Sequence, residues 1–182
     1  MLTTSFTLRG LLYEPAFLSD KEEAALLGEI ARLPLEEAKY RSFLARRRTA
    51  SFGSAYDFER NQLGPAPGIP RFLLPLKEKV TALTGIPAGS FGHALVTEYR
   101  PGTELGWHRD VPEFEVVAGV SLAGACRMRF RPYPPGRRAK ALALDLEPRS
   151  VYVLRDEIRW RWQHSVAPTK ELRYSITFRT RK

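Results

Sequence analysis

The sequence predicts a mainly β protein of the α+β class, in which an antiparallel sandwich or barrel is supported by helices near the N-terminus. From residue 91 onward, short apolar or alternating segments are separated by turn residues, a pattern typical of sandwiches and barrels. Before residue 91, two segments carry apolar residues at helical spacing. The chain has 182 residues, enough for one domain with its own core. We therefore predict a single domain over residues 1–182.

Two helices are predicted in the first half of the chain. Residues 19–22 have the form of a capping box, and apolar residues at helical spacing follow until Pro34. A second helix is predicted over residues 72–83, with Pro75 tolerated in its first turn and Gly85 ending it.

The segment between the two helices is predicted to be mostly extended. Residues 46–52 read as a strand, and Gly53 reads as a turn before a second strand that reaches residue 58. Residues 64–70 hold three prolines and two glycines, which predicts a loop.

Seven strands are predicted in the second half, at residues 91–99, 116–122, 126–131, 141–146, 150–154, 159–164 and 172–179. The segment 116–122 is apolar on both faces, which is typical of a central strand. In the segment 126–131, three apolar residues alternate with three arginines. That strand is therefore predicted to have one buried face and one basic face.

Composition limits the location and the partners. Lys and Arg outnumber Asp and Glu by 29 to 20, which gives a formal charge of +9 and favours a polyanionic partner such as nucleic acid. The alternative interpretation is that the positive charge only aids solubility and binds no polyanion. The single cysteine, Cys126, fits a reducing compartment, and no apolar run is long enough to span a membrane. The start of the chain lacks a signal-peptide pattern, so we expect a cytoplasmic monomer that binds no membrane.

A candidate metal site is formed by His108, Asp110 and His164. On an extended segment, positions 108 and 110 point the same way, and His164 closes a later strand that could lie beside them. Two neutral imidazoles and one carboxylate suit Fe(II), Mn(II) or Zn(II) and leave one face of an octahedral ion open. A His-x-Asp pair alone is common by chance. The alternative is that the pair caps a turn and His164 merely ends a strand.

The last predicted strand carries an arginine at each end of one face. Period-two alternation places Arg173, Ser175, Thr177 and Arg179 together. If this face is buried, its guanidiniums need anionic partners, and a small dicarboxylate would serve. The alternative is that the opposite, apolar face meets the core and both arginines lie in water.

Two residues of the segment 91–99 share a face and could complete a carboxylate site. These are Thr97 and Tyr99, a hydroxyl and a phenol near the expected position of the arginines. The competing interpretation makes Tyr99 a core aromatic residue.

With these motifs in place, the sequence resembles the AlkB family of Fe(II)- and 2-oxoglutarate-dependent dioxygenases. The resemblance covers about residues 91–179. Its matching pieces are Tyr99-Arg100-Pro101-Gly102, His108-Arg109-Asp110, His164-Ser165 and Arg173-Tyr174-Ser175-Ile176-Thr177-Phe178-Arg179.

The resemblance implies a fold, a metal centre and a cosubstrate site. The fold is a double-stranded β-helix, or jelly roll, with the catalytic core at residues 91–182 and a helical support with a nucleotide-recognition lid at residues 1–90. Fe(II) would be bound by His108, Asp110 and His164. The implied cosubstrates are 2-oxoglutarate and O2. The distal carboxylate of 2-oxoglutarate would be bound by Arg173, Tyr99 and Ser175. The end of 2-oxoglutarate that chelates iron would be bound by Arg179 and Thr97.

The resemblance also implies oxidative removal of alkyl groups from the bases of DNA or RNA. Candidate substrate contacts are Trp107, Phe52 and Tyr56 for stacking, Arg47 for phosphate and Glu113 for base reading. Each aromatic residue could instead be a packing residue. Two alternative functions stay open: an oxygenase acting on a protein or a small molecule, and a non-catalytic β-sandwich that binds nucleic acid without a metal.

Overall fold

The structure is a computed structural model that describes residues 8–40, 43–57, 60, 62–137 and 139–182, without the side chains of 38–40, 43–46, 55–57 and 63. Its three α-helices are α1 (Asp20–Ile30), α2 (Leu74–Thr84) and α3 (Asp156–Arg161). The strands in the described part are β1 (Leu11–Glu14), β2 (Glu36–Tyr40), β3 (Phe43–Phe52), β4 (Ser54–Asp57), β5 (Gln62–Pro65), β6 (Phe91–Tyr99), β7 (Leu105–His108), β8 (Phe114–Ala123), β9 (Cys126–Pro132), β10 (Leu142–Leu146), β11 (Val151–Leu154), β12 (Trp162–Val166) and β13 (Arg173–Arg181).

Two antiparallel sheets form the jelly roll that the resemblance implied. The major sheet has seven strands in the order β1-β11-β8-β13-β6-β3-β2, and the minor sheet has four in the order β10-β9-β12-β7. The strands β4 and β5 pair as a separate hairpin. The strands β1, β2 and β3 extend the major sheet, so that sheet crosses the predicted division at residue 91.

The main hydrophobic core lies between the helices and the major sheet. On α1 and α2, Leu26 and Val80 are buried, and on β13 Ile176 and Phe178 are fully buried in the same cluster. Burial of this apolar face turns the alternate residues of β13, including both arginines, toward the minor sheet. The alternative in which the arginines lie in water is therefore wrong.

Both predicted helices are confirmed, together with the local signals that set their ends. Ser19 and Glu22 make the reciprocal hydrogen bonds of a capping box at the start of α1. Pro75 lies in the first turn of α2, and Gly85 ends that helix with φ of 71°, a left-handed conformation that glycine adopts without strain. A turn of 3-10 helix (Arg71–Leu73) precedes α2.

Most predicted strands are confirmed to within two residues, but three predictions need correction. The segment 159–164 is a strand only from Trp162, because the preceding residues form α3, with acidic residues in its first turn and arginines in its last, as the helix dipole favours. The predicted loop 64–70 is a strand as far as Pro65. The third concerns the short strands β1, β2 and β7, which were missing from the predicted set.

No helix in the described part of the chain is long and apolar enough to cross a membrane.

Candidate active site

A cavity of about 1280 Å³ opens between the two sheets. The minor sheet contributes the strands β7 and β12 to its wall, and the major sheet contributes the inner faces of β3, β6 and β13. The two histidines, the aspartate and the two arginines that the sequence singled out all line this one cavity.

His108, Asp110 and His164 come together at the end of the cavity where β7 stops. His108 and His164 are paired across neighbouring strands, and their ring centroids lie 4.2 Å apart. His108 Nε2 lies 3.7 Å from Asp110 Oδ1. Each residue offers one ligand atom, and the three atoms lie within 4.8 Å of one another.

A backbone hydrogen bond orients His108. Its Nδ1 lies 2.9 Å from the carbonyl oxygen of Gly106, so a proton on Nδ1 donates to that carbonyl and leaves the lone pair of Nε2 free. Such a bond to the second ring nitrogen is the usual way in which proteins fix the tautomer of a ligating histidine.

The protonation states also suit a metal ion. Burial lowers the pKa of His164 to about 3, and burial likewise lowers the pKa of His108. Burial on its own would raise the pKa of Asp110, but the nearby positive charge of Arg179 holds that pKa well below its usual value. At neutral pH the cluster therefore offers two neutral imidazoles and one carboxylate, with no proton to displace.

Arg173 is buried with an unsatisfied donor. It is 2% exposed, its Nε donates to Ser121 Oγ at 2.9 Å, and its guanidinium carbon lies 4.9 Å from the centroid of the Tyr99 ring. Its Nη1 atom has no hydrogen-bond partner among the described residues. A buried cation with a free donor fits the carboxylate of a small anion.

Arg179 lies between Asp110 and a histidine that the sequence analysis missed. Its Nε donates to Asp110 Oδ2 at 3.3 Å, and its Nη1 lies 3.4 Å from His93 Nδ1. Burial lowers the pKa of His93 to about 3, so the neutral ring accepts this bond. His93 sits on β6 four residues before Thr97, and alternation from Thr97 would have placed it on the cavity face.

Thr97 and Ser175 line the same cavity and are paired across β6 and β13. Ser175 Oγ lies 3.4 Å from Thr177 Oγ1. The register places Thr97 opposite Ser175 and Arg179 opposite His93, whereas the resemblance grouped Thr97 with Arg179.

Tyr152 is a second residue that the sequence did not single out. It lines the cavity, and burial raises the pKa of its phenol. Its ring lies against Gly119 of β8, where any Cβ atom would overlap it. The glycine therefore makes room for this phenol.

The predicted substrate residues are placed in different surroundings. Arg47 and Phe52 both line the cavity. Phe52 is only 8% exposed, and it also packs in the main core beneath the helices. Stacking on a base would require Phe52 to leave that core. Glu113 is partly buried outside the cavity lining, with no hydrogen bond to its Oε2. Trp107 packs under two arginines of β9, and the side chain of Tyr56 lies outside the described residues.

Comparison with known proteins gives one family and several relatives. The model of the "2OG-Fe(II) oxygenase superfamily" matches residues 10–179. The chain is 32% identical to uncharacterized protein L905 of Acanthamoeba polyphaga mimivirus over 67% of its own length and 63% of that protein. It is 27% identical to the alkylated DNA repair protein ALKBH8 homolog of Arabidopsis thaliana, over 91% of this chain and 53% of the relative.

Two further similarities extend the picture. The probable RNA/DNA demethylase ALKBH6 of Danio rerio is 27% identical over 85% of this chain and 68% of that protein. The solved structure of OsALKBH1 superposes with a TM-score of 0.75 at 18% identity, covering 95% of this chain and 99% of the other. The chain spans between about half and two thirds of the length of these curated relatives.

Proposed function

The chain belongs to the 2OG-Fe(II) oxygenase superfamily as an AlkB-like member, and we propose that it removes alkyl groups from nucleic-acid bases by oxidation. Its cosubstrates are 2-oxoglutarate and O2, and its metal is Fe(II). The observation that carries the proposal is the convergence on one wide cavity of three side chains that could bind a metal ion and two arginines, one buried and one partly buried. The names of two relatives, an alkylated-DNA repair protein and a probable RNA/DNA demethylase, support the choice of substrate.

In this proposal, His108, Asp110 and His164 hold Fe(II) through two nitrogens and one oxygen. The carbonyl of Gly106 orients one imidazole, and Arg179 steadies the carboxylate. Three protein ligands on one face leave the rest of the coordination sphere for the cosubstrates.

Arg173 binds the distal carboxylate of 2-oxoglutarate in this proposal. Its free Nη1 donor supplies the hydrogen bond, and Tyr99 and Ser175 lie beside it. Arg179 and Thr97 line the path from that carboxylate to the metal. Because arginine stays charged when it is buried, the pocket selects an anion.

The bound metal supplies the oxidising chemistry, in which one oxygen atom of O2 enters succinate and the other enters the alkyl carbon. The balanced reaction for a methyl group consumes the methylated base, 2-oxoglutarate and O2. It yields succinate, CO2, formaldehyde and the unmethylated base, which stays in the strand. The residues of the cavity position the alkyl carbon and exclude water, and a target base in a duplex has to be flipped out to reach it.

The decisive experiment is a turnover assay on methylated and etheno-adducted DNA and RNA oligonucleotides. Aldehyde and succinate are expected in equal amounts with the wild-type protein. Asp110→Asn is expected to abolish both products, because it removes a charged metal ligand. Asp145→Asn is the matched control, since it removes an exposed carboxylate that is not among the residues lining the cavity. Succinate that forms with no aldehyde from any nucleic acid would reject the proposed substrate and favour a protein or small-molecule substrate.

A further inference from the structure

The outer face of the minor sheet carries basic and aromatic side chains, and two of these residues, Trp107 and Arg109, also line the mouth of the cavity. We call this set the outer basic surface, and its members are Trp107, Arg109, Arg129, Arg131 and Tyr133. Each of them alternates with an inward-facing or buried residue of the same strand or its extension, such as His108 or Phe130.

Two arginines of β9 reach across β12 to the edge strand β7. Arg131 Nε donates to Gln163 Oε1 at 3.0 Å, and Arg129 Nε donates to Ser165 Oγ at 3.0 Å. Their guanidinium carbons lie 4.4 Å and 5.3 Å from the centroid of the Trp107 ring. The indole and the two neutral acceptors thus hold both guanidiniums in place.

A third arginine joins the loop after β7 to the hairpin after β9. The guanidinium carbon of Arg109 lies 3.9 Å from the centroid of the Tyr133 ring, and its Nη1 donates to the carbonyl of Trp160 at 3.3 Å. Tyr133 is 43% exposed, so its ring is available to another planar group.

These three guanidiniums are fixed but not neutralised. All their hydrogen-bond and ring partners are uncharged, and none of the three is paired with a carboxylate in the part of the chain that the structure describes. Arg127 differs, although it lies on the same face two residues from Arg129. It makes two hydrogen bonds to Asp145, at 2.8 Å and 3.0 Å. On this face, therefore, the charge of one arginine is balanced by a carboxylate, and the charges of the other three are not.

We propose that the outer basic surface binds phosphates of the nucleic-acid strand on either side of the target base, an inference that rests on the proposed function. Guanidiniums bind phosphate oxygens in a forked geometry, and fixed arginines beside an exposed aromatic ring such as that of Tyr133 are suited to a single strand. The surface also adjoins the cavity, because Trp107 precedes His108 and Arg109 precedes Asp110. A strand that lies on it passes the mouth of the cavity.

The test is the salt dependence of oligonucleotide binding, measured by fluorescence anisotropy with a labelled 12-nucleotide single strand that carries one methylated base. Each phosphate contact on a single strand contributes about 0.7 to the slope of log affinity against log salt. The double variant Arg129→Gln with Arg131→Gln is expected to reduce that slope by about 1.4. At 0.1 M salt its affinity is expected to fall on the order of tenfold.

Two control variants test whether the lower slope comes only from the lost net charge or only from altered side-chain packing on this face. Arg127→Gln with Asp145→Asn removes the compensated pair from the same face and leaves the net charge unchanged. Lys21→Gln with Arg71→Gln removes two positive charges on the helix side of the major sheet. Both controls are expected to keep the wild-type slope, and thermal melting of every variant checks the fold.

Three outcomes would overturn the inference. The first is a site variant whose slope equals that of the helix-side control, since charge alone would then explain the loss. The second is polyglutamate of equal charge binding as tightly as the oligonucleotide with the same dependence on the two arginines, which would assign the surface to an acidic protein segment. The third is a wild-type protein that neither binds nor demethylates any oligonucleotide, and this result alone would reject the proposed function as well.

Discussion

Arg173 is the residue on which the cosubstrate pocket depends most directly. It is buried, and one of its donors lacks a partner. Alternation grouped it with Ser175, Thr177 and Arg179 on one face of β13, and the resemblance to the AlkB family implied that this face points inward. The sequence could not reveal that Ser121 of the neighbouring strand holds its Nε, because that contact depends on the register of β13 against β8.

Arg173→Gln is expected to raise the KM for 2-oxoglutarate on the order of 10- to 100-fold, since a hydrogen bond to a charged group contributes about 1.5–3 kcal/mol. The measurement is succinate formation at varied 2-oxoglutarate. Arg127→Gln, which removes an exposed guanidinium, serves as the control. An unchanged KM would show that another group binds the distal carboxylate.

Gly119 makes room for Tyr152, and this requirement can be tested through stability. Gly119→Ala is expected to destabilise the protein by about 1–3 kcal/mol, because the added methyl group forces the Tyr152 ring out of its position. Gly28→Ala on α1 meets nothing within 4 Å and is expected to stabilise the protein by about 0.5–1 kcal/mol. Urea unfolding at neutral pH measures both changes. A Gly119→Ala variant as stable as the wild type would contradict the contact.

The buried histidines give the metal-free protein a predictable pH dependence. His93 has a pKa of about 3 when folded and an ordinary value of 6.5, so the unfolded chain binds one more proton between these two values. Stability is therefore complete above pH 6.5 and falls as the pH drops toward 3, by up to about 1.4 kcal/mol per pH unit for each such histidine. His93→Gln is expected to reduce the slope of unfolding free energy against pH by the contribution of one proton. Urea unfolding from pH 7 to 4 measures this slope. Equal slopes for both proteins would show that His93 is protonated in the fold.

At the scale of elements, α3 has a role that its sequence concealed. The alternation of arginine and tryptophan over residues 159–162 predicts a strand, but the structure has a helix up to Arg161. This helix places the buried Arg159 beneath the segment that follows Asp110. Its Nη2 donates to the carbonyls of Val111 and Phe114 at 2.8 Å and 2.6 Å. The helix thus anchors the loop that carries a proposed metal ligand.

Arg159→Lys is expected to weaken metal binding as well as stability, because a lysine keeps the charge but does not reproduce the bridge between two carbonyls. The loss of these bonds is expected to cost about 1.5–3 kcal/mol. Titration with Mn(II) and thermal melting measure the two effects. Arg161→Lys, on the exposed side of the same helix, is the control. A variant that melts early but binds Mn(II) normally would limit Arg159 to a structural role.

For the whole molecule, the sequence predicted the central strands of the sheets better than the edge strands. Long alternating or apolar strands such as β6, β8 and β13 were predicted correctly, because one buried face imposes a clear period. Alternation on extended segments grouped His108 with Asp110 and Arg173 with Arg179, and the family resemblance added His164 and the inward orientation of the arginines. The cavity residues His93 and Tyr152 were missed: alternation from Thr97 would have marked His93, whereas only proximity across strands marks Tyr152. The cytoplasmic location and the monomeric state stay predictions.

The four residues of β7 form one edge strand of the minor sheet, and among the residues that the structure describes only β12 pairs with them. An ion shared by His108 and His164 would fasten this strand to its neighbour as a cross-link does. Chelation with EDTA is therefore expected to loosen the rim and speed amide hydrogen exchange over residues 105–108, while β13 exchanges as before. Iron supply would then govern how stably β7 pairs with β12, in addition to whether the enzyme turns over.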